Sequence, residues 1–322
     1  MNDADRKYSS HALVREMMET PDIIGSFDPR VSARFVEAIK TRKGLFLTGE
    51  GSSRIFPARR AICSWLGKGN LFPLVEGGCT QALEFNLDDY AVFAASNSGQ
   101  TKEVTRLVNR LKGKGHFPIF GLTSYKNTRL ESLTHATHIL SCGKEDAVAA
   151  TKSVIEQALF YDSLLRNLRG EKMEGLQDLA VKTGRVLTAE ISYDIVGPAR
   201  DAGMIYFAGR DNGVAEELAL KTNEIARKKS AFLDGNLAIH GKEEVMEKND
   251  LLIWIDPFDD DQEKFHEHIV RGIGMNIIAI SGKQTMFPTL LIPDAGCYNE
   301  YLQLAAGWNL LVETGISLGI DI

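Results

Sequence analysis

The amino-acid sequence predicts an α/β protein of two tandem domains, each a mostly parallel, doubly wound sheet with helices on both faces in three layers. Three observations carry that reading. Short apolar runs alternate with amphipathic helical stretches, which is the pattern of βαβ units. The chain has 322 residues, long for one ordinary domain and comfortable for two of about 150. The landmarks of the first half also recur in the second at the same spacing, Leu45 to Ala91 and Ile205 to Leu251, as a duplicated architecture would require.

Taken in order, residues 1–40 read as an N-terminal helical segment. The first domain, 41–170, has strand-like runs GLFLT (44–48), LFPLV (71–75), YAVFAA (90–95), FPIFGLT (117–123) and THILS (137–141). Residues 171–200 lack a strand pattern and read as a helical connector. The second domain, 201–322, has MIYFAG (204–209), LLIWID (251–256), NIIAIS (276–281) and TLLIP (289–293). Helical patterns follow the strands, as in TKEVTRLVNRLK (101–112) and in residues 299–319.

Composition bounds the function. A hydrophobic fraction of 44% with 25% charged residues is that of an ordinary globular protein. A net charge of −6 and a pI near 5.7 argue against nucleic acid or an anionic membrane as partner. They say little about small anions, which a few backbone amides can hold. Cys63, Cys79, Cys142 and Cys297 form no CxxC pair and read as buried thiols of a reducing compartment. The N-terminus mixes acids and bases where a signal peptide needs an apolar core. No run approaches the ~18 apolar residues of a membrane span. A cytoplasmic protein without metal or cofactor is the expectation.

The sharpest motif is SNSGQT (96–101), placed between the YAVFAA strand and an amphipathic helix. A strand, tight turn and helix start offer free amides and the positive helix end to an anion. The hydroxyls of Ser96, Ser98 and Thr101 surround Gly99, which allows close backbone approach. A Ser-rich turn before a helix is also what an ordinary N-cap requires. The matching loop of the second half, DPFDDD (256–261), is acidic and would repel an anion, so only the first domain is expected to bind phosphate. Its aspartates, with His266 and His268, make a poor metal set, because histidines two apart on a helix point to different sides. They read instead as a solvated acidic helix start followed by exposed histidines. GEGSSR (49–54) is not a dinucleotide fingerprint, since Arg54 stands where the third glycine belongs. It still offers Ser52, Ser53 and its amides to the same anion.

Glu217, Lys221 and Glu224 are spaced four and three apart, on one face of a helix after MIYFAG. From the residues alone they read as an exposed ion-pair ladder, and His240 reads as a loop residue before Gly241.

In their order, these motifs resemble the isomerase half of glucosamine-6-phosphate synthase and its stand-alone sugar isomerase (SIS) relatives, over about residues 40–322. The family's turn, phosphate loop and helix start appear as Gly51-Ser52-Ser53, SNSGQT and VAATK (148–152). Its catalytic helix appears as ELALKTNE (217–224), with His240 sixteen residues beyond. The resemblance implies tandem SIS domains and a sugar phosphate as ligand. It implies that Ser52, Ser53, Ser96, Asn97, Ser98 and Thr101 bind the phosphate, while Gly51, Val148, Ala149, Glu217 and Lys221 line the substrate. It implies that Glu224 moves a proton between C1 and C2 of the open-chain sugar, that His240 assists ring opening, and that the protein is a homodimer sharing its sites. A carboxylate suits proton transfer across an enediol or enolamine, and an imidazole can donate or accept near neutral pH.

Gln100, Ala150 and Lys242 depart from the family's glutamate, serine and proline. The sequence has no N-terminal glutaminase region, and it stops at GISLGIDI, after which the family carries a tail lysine. The expected function is thus isomerisation or deamination of an amino-sugar or ketose 6-phosphate. The alternatives are a deglycase of 6-phosphofructosyl amines and a sugar-phosphate sensor without turnover.

Overall fold

The structure is a computed structural model that describes residues 1, 2 and 5–322. Short helices open the chain: α1 (Arg6–Ser9), α2 (Ala12–Met18), α3 (Thr20–Ser26) and α4 (Ala33–Lys40). Then come β1 (Gly44–Gly49), α5 (Ile55–Gly67), β2 (Leu74–Gly78), α6 (Cys79–Ala82), β3 (Tyr90–Ala95), α7 (Lys102–Gly113), β4 (Ile119–Thr123), α8 (Arg129–Leu133), β5 (Ala136–Ile139) and α9 (Lys152–Arg169). After α10 (Leu176–Thr188) and α11 (Tyr193–Asp201) the second set follows. It comprises β6 (Met204–Gly209), α12 (Val214–Lys221), β7 (Lys229–Asp234), β8 (Leu251–Ile255), α13 (Gln262–Phe265), β9 (Asn276–Ser281), β10 (Thr289–Leu291) and α14 (Asn299–Ser317).

Each set forms its own five-stranded parallel sheet with helices on both sides, in the orders β2-β1-β3-β4-β5 and β10-β9-β8-β6-β7. The α/β reading with two doubly wound sheets therefore holds. By contacts, one compact unit comprises Asp22–Glu145 and Ala150–Leu176, and the other Met1–Pro21, Asp146–Ala149 and Gln177–Ile322.

In the first sheet, β1, β3 and β4 are buried almost end to end. That is why their sequences run apolar without alternation: helices cover both faces. Phe35 of α4 packs edge-on against Phe93 of β3, Phe120 of β4 and Phe160 of α9 at centroid distances of 5.0–5.7 Å. In the second unit Trp254 of β8 stacks on Phe265 at 3.7 Å, inside a cluster with Tyr206, Ile269 and Phe287.

Two strand expectations need correction. LFPLV does not begin a strand: β2 starts at Leu74, and Leu71 is 96% exposed. Pro73 has no N–H for a ladder, although its carbonyl accepts Leu45 N at 2.8 Å. The strand β7 (KSAFLD) was not expected from the sequence, because it is a half-exposed edge strand with charged ends. The cysteines are all free, but Cys297 is exposed and Cys63 half-buried, against the expectation of buried thiols. Burial pushes the Cys79 and Cys142 thiols up to about 12. Among the described residues no helix is long and apolar enough to cross a membrane.

Candidate functional site

The first sheet reverses its winding between β1 and β3, which lie side by side and in parallel. Such a switch point opens a crevice at the carboxyl ends of the strands. GEGSSR leaves β1 there and SNSGQT leaves β3. Gly49 must be small, because an added Cβ would sit 2.9 Å from the Ala95 carbonyl oxygen. Gly51 lies at φ +53 and opens the Gly51–Ser53 turn, which presents the half-buried Ser52 and Ser53. Beside it, Arg54 pairs with Glu76, and Glu50 accepts Cys79 N at 2.9 Å.

The SNSGQT turn is shaped from within. Ser96 is buried, and its Oγ lies 2.7 Å from Thr101 Oγ1. Gly99 has φ +63, and a Cβ there would lie 2.5 Å from the Thr128 side chain, so both conformation and space require glycine. Ser98 is exposed, and among the described residues its Oγ accepts only Gln100 N, at 3.2 Å, which leaves its O–H for a ligand. Because Thr101 is engaged with Ser96, it does not cap α7, and the first-turn amides receive no capping side chain. They remain available to an anion.

Asn97 ties this turn to two further segments. Its Oδ1 accepts Ser124 Oγ, and its carbonyl accepts Ser124 N at 3.0 Å. Its Nδ2 donates to Glu145 Oε2 at 2.9 Å. Glu145 also accepts Thr151 N at 2.7 Å, Ser153 N at 3.3 Å and the Ser153 hydroxyl at the start of α9. Sequence reasoning missed Glu145. Four donors converge on one carboxylate from positions as far as 48 residues away, and no local pattern announces that.

Val148 is 90% exposed and Ala149 buried, and both go with the unit of the second sheet. In that unit the helix after β6 carries the charged triad. Lys221 Nζ lies 3.2 Å from Glu217 Oε1 and 2.7 Å from Glu224 Oε2. The exposed-ladder reading is overturned: the Glu217 and Lys221 side chains are 0% exposed, and only Glu224 reaches solvent, at 25%. The helix is packed between β6, β7 and α14, and Gly307 of α14 admits Leu218 so closely that a Cβ would lie 2.4 Å from that side chain. Gly315 does the same against the Ile225 carbonyl oxygen, at 3.0 Å. Burial alone would lower the Lys221 pKa, but the carboxylates of Glu217 and Glu224 outweigh it and hold the ammonium above its ordinary value.

Glu224 itself stands in a π-helical turn, Thr222–Ala226, closed by Arg227 at φ +48. Such turns carry one extra residue and recur at functional sites. His240 follows a short turn, Leu237–Ile239, and its exposed side chain makes no hydrogen bond or ion pair with a described residue.

The acidic loop of the second sheet is not simply solvated. Asp256, at φ +47, ion-pairs with Arg210 at 2.6 Å, and Arg210 lies over the Phe258 ring. Asp259 pairs with Lys283, Asp261 accepts Asn236 Nδ2 at 2.9 Å, and His266 is half-buried. The carboxylates after β8 are thus partly paired by neighbouring side chains, whereas the turns at the β1–β3 switch point carry hydroxyl and amide donors.

Solved structures share this architecture across nearly the whole chain. Tagatose-6-phosphate ketose/aldose isomerase from Escherichia coli superposes with a TM-score of 0.81 at 17% identity, over 98% of this chain and 96% of that one. This is the tandem sugar isomerase (SIS) fold. The C-terminal domain of glucosamine-fructose-6-phosphate aminotransferase from Francisella tularensis gives 0.78 at 16% identity, covering 99% and 98%. Glucosamine-6-phosphate deaminase from Thermotoga maritima gives 0.74 at 18%, covering 98% and 95%. In sequence, the chain is 23% identical over 256 residues to a glutamine–fructose-6-phosphate aminotransferase (isomerizing) of Sulfolobus acidocaldarius, covering 76% of this chain and 43% of that protein. A second such enzyme, from Aeropyrum pernix, is 25% identical over 229 residues, covering 64% and 36%. The chain thus spans less than half the length of these curated relatives. No family model matches it.

Proposed function

We propose that this SIS protein is a phosphosugar isomerase or deaminase, acting on an amino-sugar or ketose 6-phosphate by proton transfer between C1 and C2. The observation that carries the reading is the triad: a buried lysine holds two carboxylates, and one of them, Glu224, is left facing solvent as a base. The Lys221 ammonium donates to Glu224 Oε2 at 2.7 Å and fixes that carboxylate in place, and a positioned carboxylate can serve as a general base. The donor-lined SNSGQT and GEGSSR turns suit the 6-phosphate, whose binding is remote from the reacting carbons.

In an aldose–ketose interconversion Glu224 takes the proton from one carbon of the open-chain sugar and returns it to the neighbour through an enediol. With a 2-amino sugar the same transfer passes through an enolamine to a 2-imine. Water then hydrolyses the imine to the ketose phosphate and ammonia. His240 is assigned to ring opening, since its free imidazole can exchange a proton with the ring and anomeric oxygens. The protein is further proposed to be cytoplasmic and homodimeric.

The test is exchange of the C1 or C2 hydrogen with deuterated solvent, followed by NMR across hexose, hexosamine and fructosyl-amine 6-phosphates, with ammonia and amine release tracked alongside. Wild type should exchange on at least one of them. Glu224→Gln should bind that compound normally and turn over about 10²–10⁴ times more slowly. Binding without exchange or turnover anywhere in the panel would make the protein a sensor.

A further inference from the structure

A second region of the first-sheet unit has the chemistry of an anion site. A cavity of about 990 Å³ opens beside the C-terminal half of α7. Its lining residues Arg42, Asp88 and His116 precede β1, β3 and β4, so it lies at the amino ends of the strands, opposite the SNSGQT turn. Its wall carries Arg42, Arg106, Arg110 and Lys114 against two acids, Glu84 and Asp88. Arg106, Arg110 and Lys114 follow at four-residue spacing, one face of α7 continued past its end.

These cations are not matched by carboxylates. Arg106 Nη2 donates to Thr80 Oγ1 at 3.0 Å, and Arg42 Nη1 to the Asp88 carbonyl at 3.1 Å. Arg42 Nε is buried with no hydrogen-bond partner. The Arg110 and Lys114 side chains make no hydrogen bond or ion pair with any described residue. Phe85, on the same wall, is 42% exposed.

Positive side chains at a helix C-terminus complement its dipole, which accounts for Arg110 or Lys114 taken singly. It does not account for Arg42, which comes from another segment, for the concave space, or for the aromatic face. The volume is that of a small-molecule site, and guanidinium groups converging with an ammonium are what phosphate recognition uses.

We propose that this cavity is a second anion site, distinct from the SNSGQT turn, for a small ligand bearing a pyrophosphate or comparable multiply charged group. Free pyrophosphate and a nucleoside diphosphate share that chemistry, and Phe85 offers the latter a ring to stack on.

Calorimetry of the full chain with inorganic pyrophosphate and with ADP, in separate titrations, tests this. Each titration is repeated on Ser98→Ala/Thr101→Val, in which the SNSGQT hydroxyls are gone. Saturable binding should persist in that variant and weaken about tenfold or more in Arg110→Glu/Lys114→Glu, with unfolding midpoints confirming that both variants fold. Should the charge reversal not fold, Arg42→Gln and Lys114→Ala replace it. ADP binding tighter than pyrophosphate, with the difference lost in Phe85→Ala, identifies a nucleotide site, and equal affinities identify a polyphosphate site. No saturable binding by wild type at millimolar probe, binding abolished by Ser98→Ala/Thr101→Val, or indifference to the charge reversal would each overturn the proposal.

Discussion

Asn97 Nδ2 donates to Glu145 Oε2 at 2.9 Å, and through that bond the phosphate turn after β3 and the start of α9 share one carboxylate. Glu145→Gln should therefore loosen the turn without touching a ligand, because the new NH₂ group must face one of the four donors now accepted. The expected result is sugar-phosphate affinity lower by about tenfold, a loss in the range for hydrogen bonds to a charged group. Affinity for the unphosphorylated sugar should be unchanged. Calorimetry with both ligands checks it, and equal weakening of the two would refute a role specific to the phosphate turn.

Lys221 sits between the carboxylates of Glu217 and Glu224, and its side chain and that of Glu217 are fully buried. Lys221→Met leaves the Glu217 charge buried and uncompensated, and should cost about 3–5 kcal/mol in urea unfolding. Adding Glu217→Leu removes that charge, so the double variant should regain much of the loss. A double variant no more stable than Lys221→Met would show that burial of Glu217 is not the source of the penalty.

Gly99→Ala meets two obstacles together, a left-handed backbone and the Thr128 side chain at 2.5 Å. It should reshape the turn and abolish sugar-phosphate binding, while the melting temperature falls only modestly. Ser98→Ala/Thr101→Val, which removes donors but not shape, should weaken binding by about 1–3 kcal/mol. If Gly99→Ala binds as well as wild type, the SNSGQT assignment fails.

His138 lies on β5, stacked on Phe160 at 4.7 Å, where burial and then the nearby Arg34 charge bring its pKa down to about 4. The unfolded chain binds a proton near pH 6.5 and the folded one does not. Stability should hence be complete above that value and decline as pH falls from about 6.5 to 4. His138→Phe should flatten this part of the profile in denaturant melts taken across the window. An unchanged slope would mean that other groups set the acid sensitivity.

What the sequence made legible was local. YAVFAA, SNSGQT and the helix behind them form a contiguous strand, turn and helix start, and the structure matches them almost residue for residue. The matched spacing of Leu45–Ala91 and Ile205–Leu251 reappears as the corresponding registers β1·β3 and β6·β8. Illegible was whatever depends on a distant partner. Glu217 and Lys221 have the spacing of a surface ladder, and they are buried because α12 packs against β6, β7 and α14, the last at the close approach of Gly307 to Leu218. The role of Glu145 rests on a contact 48 residues away. The strand β7 lacked an apolar run because an edge strand need not be buried.

The π turn at Thr222–Ala226 makes the length of this segment a variable in its own right. A helix can shed its extra residue by a single deletion and close again as a regular α-helix. Everything after the deletion would then rotate by about 100° around the axis. Removing the exposed Asn223 would carry the Glu224 carboxylate from its partly exposed place to the exposed one that Asn223 now holds and away from Lys221, whereas exchanging Asn223 for another residue would leave the register intact. Here the count of residues, more than their identity, decides where a charge points. Insertions and deletions are accordingly the changes this stretch of chain can least absorb.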